Sequence, residues 1–130
     1  MGVRFPGSGT VQTFTANLPN TAEGPIIVSA PLNLALDFQQ IIILWVVMLT
    51  LGTGTTALTL RLRRGTSITG NLVTTQGVNP AAAATTITIS GVYADVPGAV
   101  AGQQYTLTGQ QTGGTGAASN LDGNMTLLAL

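Results

Sequence analysis

The sequence predicts an all-β fold, a single jelly-roll β-sandwich of about eight antiparallel strands, and three observations carry that expectation. Apolar and β-branched residues recur with a period of two in several segments, as the pleat of a half-buried strand requires. Gly, Pro, Asn and Asp punctuate the chain at short intervals, and no convincing amphipathic helix period is present. The 130 residues are enough for one domain with its own core. Residues 1–10 hold glycines, Pro6 and Ser8 without apolar periodicity and read as a flexible N-terminal arm, which places the jelly-roll domain at residues 11–130.

Taken in order, Val11 to Ala16 alternates weakly and suits a short edge strand with Phe14 as its core anchor, and Leu18 to Gly24 is a turn region. Pro25 to Leu36 reads as a strand bent at Ala30-Pro31, because proline cannot donate to a ladder, with Leu32, Leu34 and Leu36 on one side. Ile41 to Leu51 is the organising strand, apolar without interruption until Thr50 and rich in β-branched residues. Gly52-Thr53-Gly54 is expected to turn it into a hairpin with Thr55 to Arg64, which sets Leu58, Leu60 and Leu62 opposite Thr59, Arg61 and Arg63. Ile68 to Thr75 reads as a strand kinked at Gly70, and Gln76 to Ala84 as loop. Thr85 to Tyr93 alternates through Ile87 and Ile89, and Gln103 to Gly109 through Tyr105 and Leu107. Gln110 to Gly123, almost wholly small and polar, is expected to be a long loop before a closing strand, Asn124 to Leu130.

The organising strand also predicts assembly. A strand of an antiparallel sandwich shows one face to the core and the other to water, yet here both faces are apolar. With no amphipathic helix to supply a second cover, another copy of the chain is the expected one. The oligomer interface is assigned to Ile41, Ile43, Trp45, Val47 and Leu49.

Composition restricts the chemistry. Charged residues make up 6% of the chain, with Arg4, Arg61, Arg63 and Arg64 balanced by Glu23, Asp37, Asp95 and Asp122, so no field steers it onto nucleic acid or an anionic membrane. Cysteine, histidine and lysine are absent, which leaves no ordinary base to activate a serine. The four acids are scattered over predicted turns. No enzyme is expected, and no catalytic residue, metal ligand, cofactor or small-molecule substrate is assigned. Asn120-Leu121-Asp122-Gly123-Asn124 carries oxygen ligands near a glycine, as calcium loops do, but a single carboxylate favours a tight turn. Arg61, Arg63 and Arg64 could grip an acidic partner surface, or pair with Glu23, Asp37 or Asp95. Trp45, Tyr93 and Tyr105 could stack on a sugar, but aromatics at strand spacing suit a core or an interface better. The apolar run of about 11 residues falls short of the roughly 18 of a spanning helix, so no membrane partner is expected. The N-terminus lacks the apolar core of a signal peptide, which points to synthesis in a cytoplasm.

The segment Ile41-Ile42-Ile43-Leu44-Trp45-Val46-Val47-Met48-Leu49, followed by Ala57-Leu58-Thr59-Leu60-Arg61-Leu62-Arg63-Arg64-Gly65, by Gln104-Tyr105-Thr106-Leu107 and by the terminal Asn124-Met125-Thr126-Leu127-Leu128-Ala129-Leu130, resembles small jelly-roll proteins of virions. It is similar above all to the trimeric, tumour-necrosis-factor-like decoration or head-fibre proteins of tailed bacteriophages. The resemblance implies a homotrimer packed along a threefold axis and bound non-covalently to a capsid shell, with the major capsid protein or another virion protein as partner. It implies a virion location, reached by assembly in the host cytoplasm. Two other readings stay open: a single jelly-roll capsid protein that forms the shell itself, and a carbohydrate-binding fibre or adhesion module.

Overall fold

The computed structural model describes residues 13–14, 17–19, 21–80 and 86–130. The expected arm at 1–10 and the run of alanines at 81–84 lie outside the described residues, as does the side chain of Phe14. Eleven strands run through the described residues: β1 (Thr13–Phe14), β2 (Asn17–Leu18), β3 (Gly24–Val28), β4 (Leu32–Leu34), β5 (Ile41–Thr50), β6 (Thr53–Arg64), β7 (Leu72–Val78), β8 (Thr86–Asp95), β9 (Val100–Gln103), β10 (Tyr105–Thr115) and β11 (Ala118–Ala129). They build a five-stranded sheet, β1-β3-β10-β6-β7, and a four-stranded sheet, β2-β11-β5-β8, with β4 and β9 as a separate pair. Every pairing is antiparallel. The path crosses repeatedly from one sheet to the other, and the fold is the expected jelly-roll sandwich.

Alternation fills the space between the sheets. Ile41, Ile43, Trp45, Val47 and Leu49 of β5 meet Leu58, Leu60 and Leu62 of β6, and Ile26, Ile27, Tyr105, Leu107, Met125 and Leu127 complete the cluster, all buried. At roughly 1.5–3 kcal/mol per fully buried large side chain, this layer is the main source of stability.

Three expectations are corrected here. β5 and β6 form no hairpin: β5 pairs with β11 and β8, and β6 with β10 and β7, so Leu51-Gly52 is a crossover between sheets. A glycine pair punctuates either kind of connection, and local chemistry does not choose between them. The hairpin is β6–β7, and the turn between its strands takes up Ile68 and Gly70, so the strand begins at Leu72 instead of Ile68. The stretch Gln110 to Gly123 is no loop, because β10 continues to Thr115 and β11 begins at Ala118. Its glycines are accommodated by irregularity: register shifts between Thr112 and Gly113, and Gly113, Gly114 and Gly116 take positive φ, a region open to glycine at little steric cost. The bend at Ala30-Pro31 does separate two strands, β3 and β4, but Leu36 lies beyond β4 and is exposed.

The β10–β11 connection crosses beside the β5–β6 one, and a buried glutamine ties them together. Gln111 Oε1 accepts from the Gly52 N–H at 2.8 Å and from Thr55 Oγ1 at 2.8 Å, while Gln111 Nε2 donates to the Gly116 carbonyl at 3.4 Å. A Cβ at Gly52 would collide with the carbonyl of Gly116, so only glycine allows the two crossovers to lie this close. Gln111→Leu keeps the volume but leaves the Gly52 N–H without its acceptor. It should cost about 2 kcal/mol in urea unfolding without altering the far-ultraviolet circular dichroism of the folded state.

Candidate functional site

The two sheets differ in what their outer faces carry. On the five-stranded sheet the charged outward side chains are bonded to polar neighbours, and Leu72 beside Arg63 is an exposed apolar exception. Arg63 grips Glu23 with two bonds, Nε to Oε1 at 2.8 Å and Nη2 to Oε2 at 3.0 Å, and also donates to the Gly70 carbonyl. Arg61 donates to Gln110 Oε1 at 2.9 Å and lies 3.8 Å from Glu23. Thr108 donates its hydroxyl to Glu23, and Gln110 donates to the Thr21 carbonyl. The hydrogen bond from Arg63 holds the Glu23 carboxyl below its ordinary range against the opposing effect of burial.

Arg64, at the end of β6, instead reaches the other sheet. Its Nε and Nη2 donate to Oδ2 and Oδ1 of Asp95 at 2.9 and 2.7 Å, and the buried Tyr105 hydroxyl donates to Asp95 Oδ2 at 2.7 Å. Burial alone would raise the Asp95 pKa, but the bonds from Arg64 and Tyr105 outweigh it and the net displacement is downward. Burial and the neighbouring carboxylate push the Tyr105 phenol upward. Of the two readings of Arg61, Arg63 and Arg64, the structure shows the internal pairing, with Glu23 and Asp95 as the acids.

Both carboxyls have folded-state pKa values below their unfolded ones. Their stabilisation is complete above the unfolded carboxylate range, near pH 4, and is lost as pH falls through the folded values. Thermal unfolding followed from pH 7 to pH 2 should show the midpoint falling steeply below about pH 4. Asp95→Asn should lower the midpoint at pH 7, by a loss of about 2 kcal/mol, and flatten part of that acid slope.

The four-stranded sheet has the opposite outer face. The even-numbered residues of β5, Ile42, Leu44, Val46 and Met48, point away from the core. Register sets Ala94, Val92, Ser90 and Thr88 of β8 beside them on one side, and Leu128, Thr126, Asn124 and Asp122 of β11 on the other. Val96 and Leu130 lie just past the strand ends, and Leu130 N–H donates to the Gln40 carbonyl at 2.9 Å. Leu44, Val46, Val92, Val96 and Leu130 keep between 40% and 63% of their surface exposed. Phe38, in the turn before β5, keeps 78%. Toward the β5–β6 crossover the face turns polar, with Thr50, Thr86, Thr88 and Ser119. A shallow hollow of about 210 Å³ lies over Val46, Met48 and Thr88, bordered by Asp122, Gly123 and Asn124.

The interface assignment to Ile41, Ile43, Trp45, Val47 and Leu49 is corrected by this geometry, since all five are inside the sandwich and inaccessible to a neighbour. The side chains left for a partner are their even-numbered neighbours. Val92 and Leu128 join them without having been anticipated. The available signal was an apolar residue on the polar side of an alternating strand, as Val92 is after Thr88 and Ser90. Trp45 and Tyr105 are core residues, and only Tyr93, at the margin of β8, is exposed. Asp122 sits in β11 beside a bulge at Leu121, not in a tight turn. Among the described residues no group of three metal-ligating side chains is present.

No protein-family model matches the chain, and no curated protein matches its sequence. Solved structures do share its fold. The chain is similar to Eiger TNF from S. frugiperda at 12% identity and a TM-score of 0.45, over 98% of this chain and 89% of that one. It is similar to a chain of the infectious bursal disease virus Gx strain at 13% identity and a TM-score of 0.47, over 92% of this chain but 28% of the viral one. It is similar to TmCBM61 in complex with β-1,4-galactotriose at 9% identity and a TM-score of 0.38, over 84% of this chain and 67% of that chain. At such identities the likeness is one of fold.

Proposed function

We propose that this chain is a non-enzymatic structural protein of a virion, a capsid decoration or cement subunit that trimerises through the outer face of its four-stranded sheet and binds the outside of a phage capsid shell. The observation that supports self-association is the asymmetry of the two outer faces: polar groups bonded to one another on one sheet, Leu44, Val46, Val92, Val96 and Leu130 exposed on the other. An exposed apolar face of this kind marks a binding surface. The number three and the virion partner rest on the resemblance of the strand pattern to that of trimeric phage decoration proteins.

The face is graded, apolar near Ile41 and rich in threonine and serine near Thr50. A two-fold axis running across the strands would set Ile42 and Leu128 against Thr50 and Ser119 of a neighbour. Cyclic packing about an axis along the strands sets like against like, as a trimer does. Light scattering behind size exclusion tests the reading. A mass of three copies that persists on dilution is expected, and a monomer at all concentrations would overturn it. A megadalton particle that persists on dilution would favour a chain that builds the shell itself.

A further inference from the structure

The margin of the four-stranded sheet offers a second surface, independent of the face. β8 is ten residues long and pairs with β5 along all ten without a register shift. It has no partner on its other side among the described residues. Such a margin carries a row of unpaired N–H and C=O groups, and proteins that keep edges to themselves blunt them with lysine, proline, a bulge or a short strand. β8 has none of these. Its residues are Thr86, Ile87, Thr88, Ile89, Ser90, Gly91, Val92, Tyr93, Ala94 and Asp95. The margin of the other sheet, β7, is shorter, and its ladder with β6 is broken by a shift between Leu62 and Arg63.

From this edge we infer that β8 pairs antiparallel with β8 of a second copy, joining two four-stranded sheets into one and linking one face-packed assembly to the next. Charge favours that occupant and that direction. The only ionised side chain on β8 is Asp95, at its end and already bonded to Arg64. Antiparallel pairing sets it opposite an uncharged residue near the start of the other strand, with the two carboxylates about 27 Å or more apart, whereas parallel pairing would set them side by side. Opposed side chains must lie on the same side of a continuous sheet, which puts the two-fold axis through a residue and not between two, and pairing over the greatest length of β8 makes that residue Ser90 or Gly91. The outer faces of the two sheets then lie on the same side, with Val92 of each copy opposite Ser90 or Thr88 of the other, so the edge contact extends the face instead of hiding it.

Tyr93→Lys tests the pairing, because an edge lysine would be trapped against the opposing strand, while the monomer leaves this side chain partly exposed. Native mass is measured over a hundredfold range of concentration for the unaltered chain, Tyr93→Lys and Val46→Asp. The unaltered chain should show species above three copies at the upper end that dissociate on dilution. Tyr93→Lys should stop at the face-packed species, and Val46→Asp, with its face blocked, should still form two-copy species. The same mass profile for Tyr93→Lys and the unaltered chain would overturn the inference. Amide exchange of the unaltered chain gives a reading free of mutations. Concentration-dependent protection of every β8 amide supports pairing, and fast exchange of alternate β8 amides at all concentrations contradicts it. Failure of the face alone would appear differently, as a Val46→Asp profile identical to that of the unaltered chain.

Discussion

A chain carrying Val47→Asp should not fold, whereas its neighbour Val46→Asp should fold and fail to form the face-packed trimer. Val47 has no exposed surface and belongs to the same buried apolar cluster as Leu58, Leu60 and Leu107. A carboxylate there has no partner to offset its desolvation. The cost is on the order of 5 kcal/mol or more, as large as the whole stability of many small domains. Val46 is one residue along and points out of the sandwich, with 49% of its surface exposed. In the monomer the aspartate stays hydrated, and the expected loss is below about 1 kcal/mol. In the assembly it would sit in a dehydrated apolar contact, and association should weaken at least a hundredfold, about 3 kcal/mol. Circular dichroism and native mass, measured on both variants, separate the two outcomes.

Gly91→Ala should disturb the centre of the core. Gly91 lies opposite Trp45 in the β5–β8 ladder, and a Cβ there would fall inside the van der Waals shell of the indole ring. A rigid bicyclic ring cannot yield as a lysine end would, so Trp45 must move, and with it the centre of the core. A loss of about 2–3 kcal/mol is expected from overpacking. Trp45→Leu should restore the space. It also removes an indole N–H that is buried without a hydrogen-bond partner among the described residues. The double variant should therefore be at least about 1 kcal/mol more stable than the sum of the single losses, measured by urea unfolding.

The strands with clean alternation were legible in the sequence because the pleat writes itself directly into side-chain type, as in Leu58, Leu60 and Leu62 of β6. The uninterrupted run of β5 was legible as a strand but not as to its faces. When both faces are apolar, a period of two leaves two equal choices, and what decides between them is the distant β6 layer that covers Trp45 and Val47. The apolar side chains left outside the sandwich are Leu44 and Val46, one residue along from those the pattern pointed to. The strands after Gln110 were hidden for a different reason. Glycine and threonine carry little strand signal, and it is pairing with β6 and β5 on either side that fixes them as strands. The partners of Arg63 and Arg64 were foreseen as a set of acids but not one by one, since Glu23 and Asp95 approach only when the sheets form.

The claim at the centre of this account is that the outer face of the four-stranded sheet is covered in the assembled protein. The chain contains no cysteine, so a single introduced thiol reports on one position alone. Val92→Cys places it on that face, and Thr75→Cys places a control on the exposed margin of the other sheet. The rate of modification by a thiol reagent is then followed during dilution. The account predicts that the thiol of Val92→Cys reacts at least about tenfold more slowly than the control in the assembled protein, with the two rates converging as the assembly dissociates. Equal rates at every concentration would leave the face in water and contradict it.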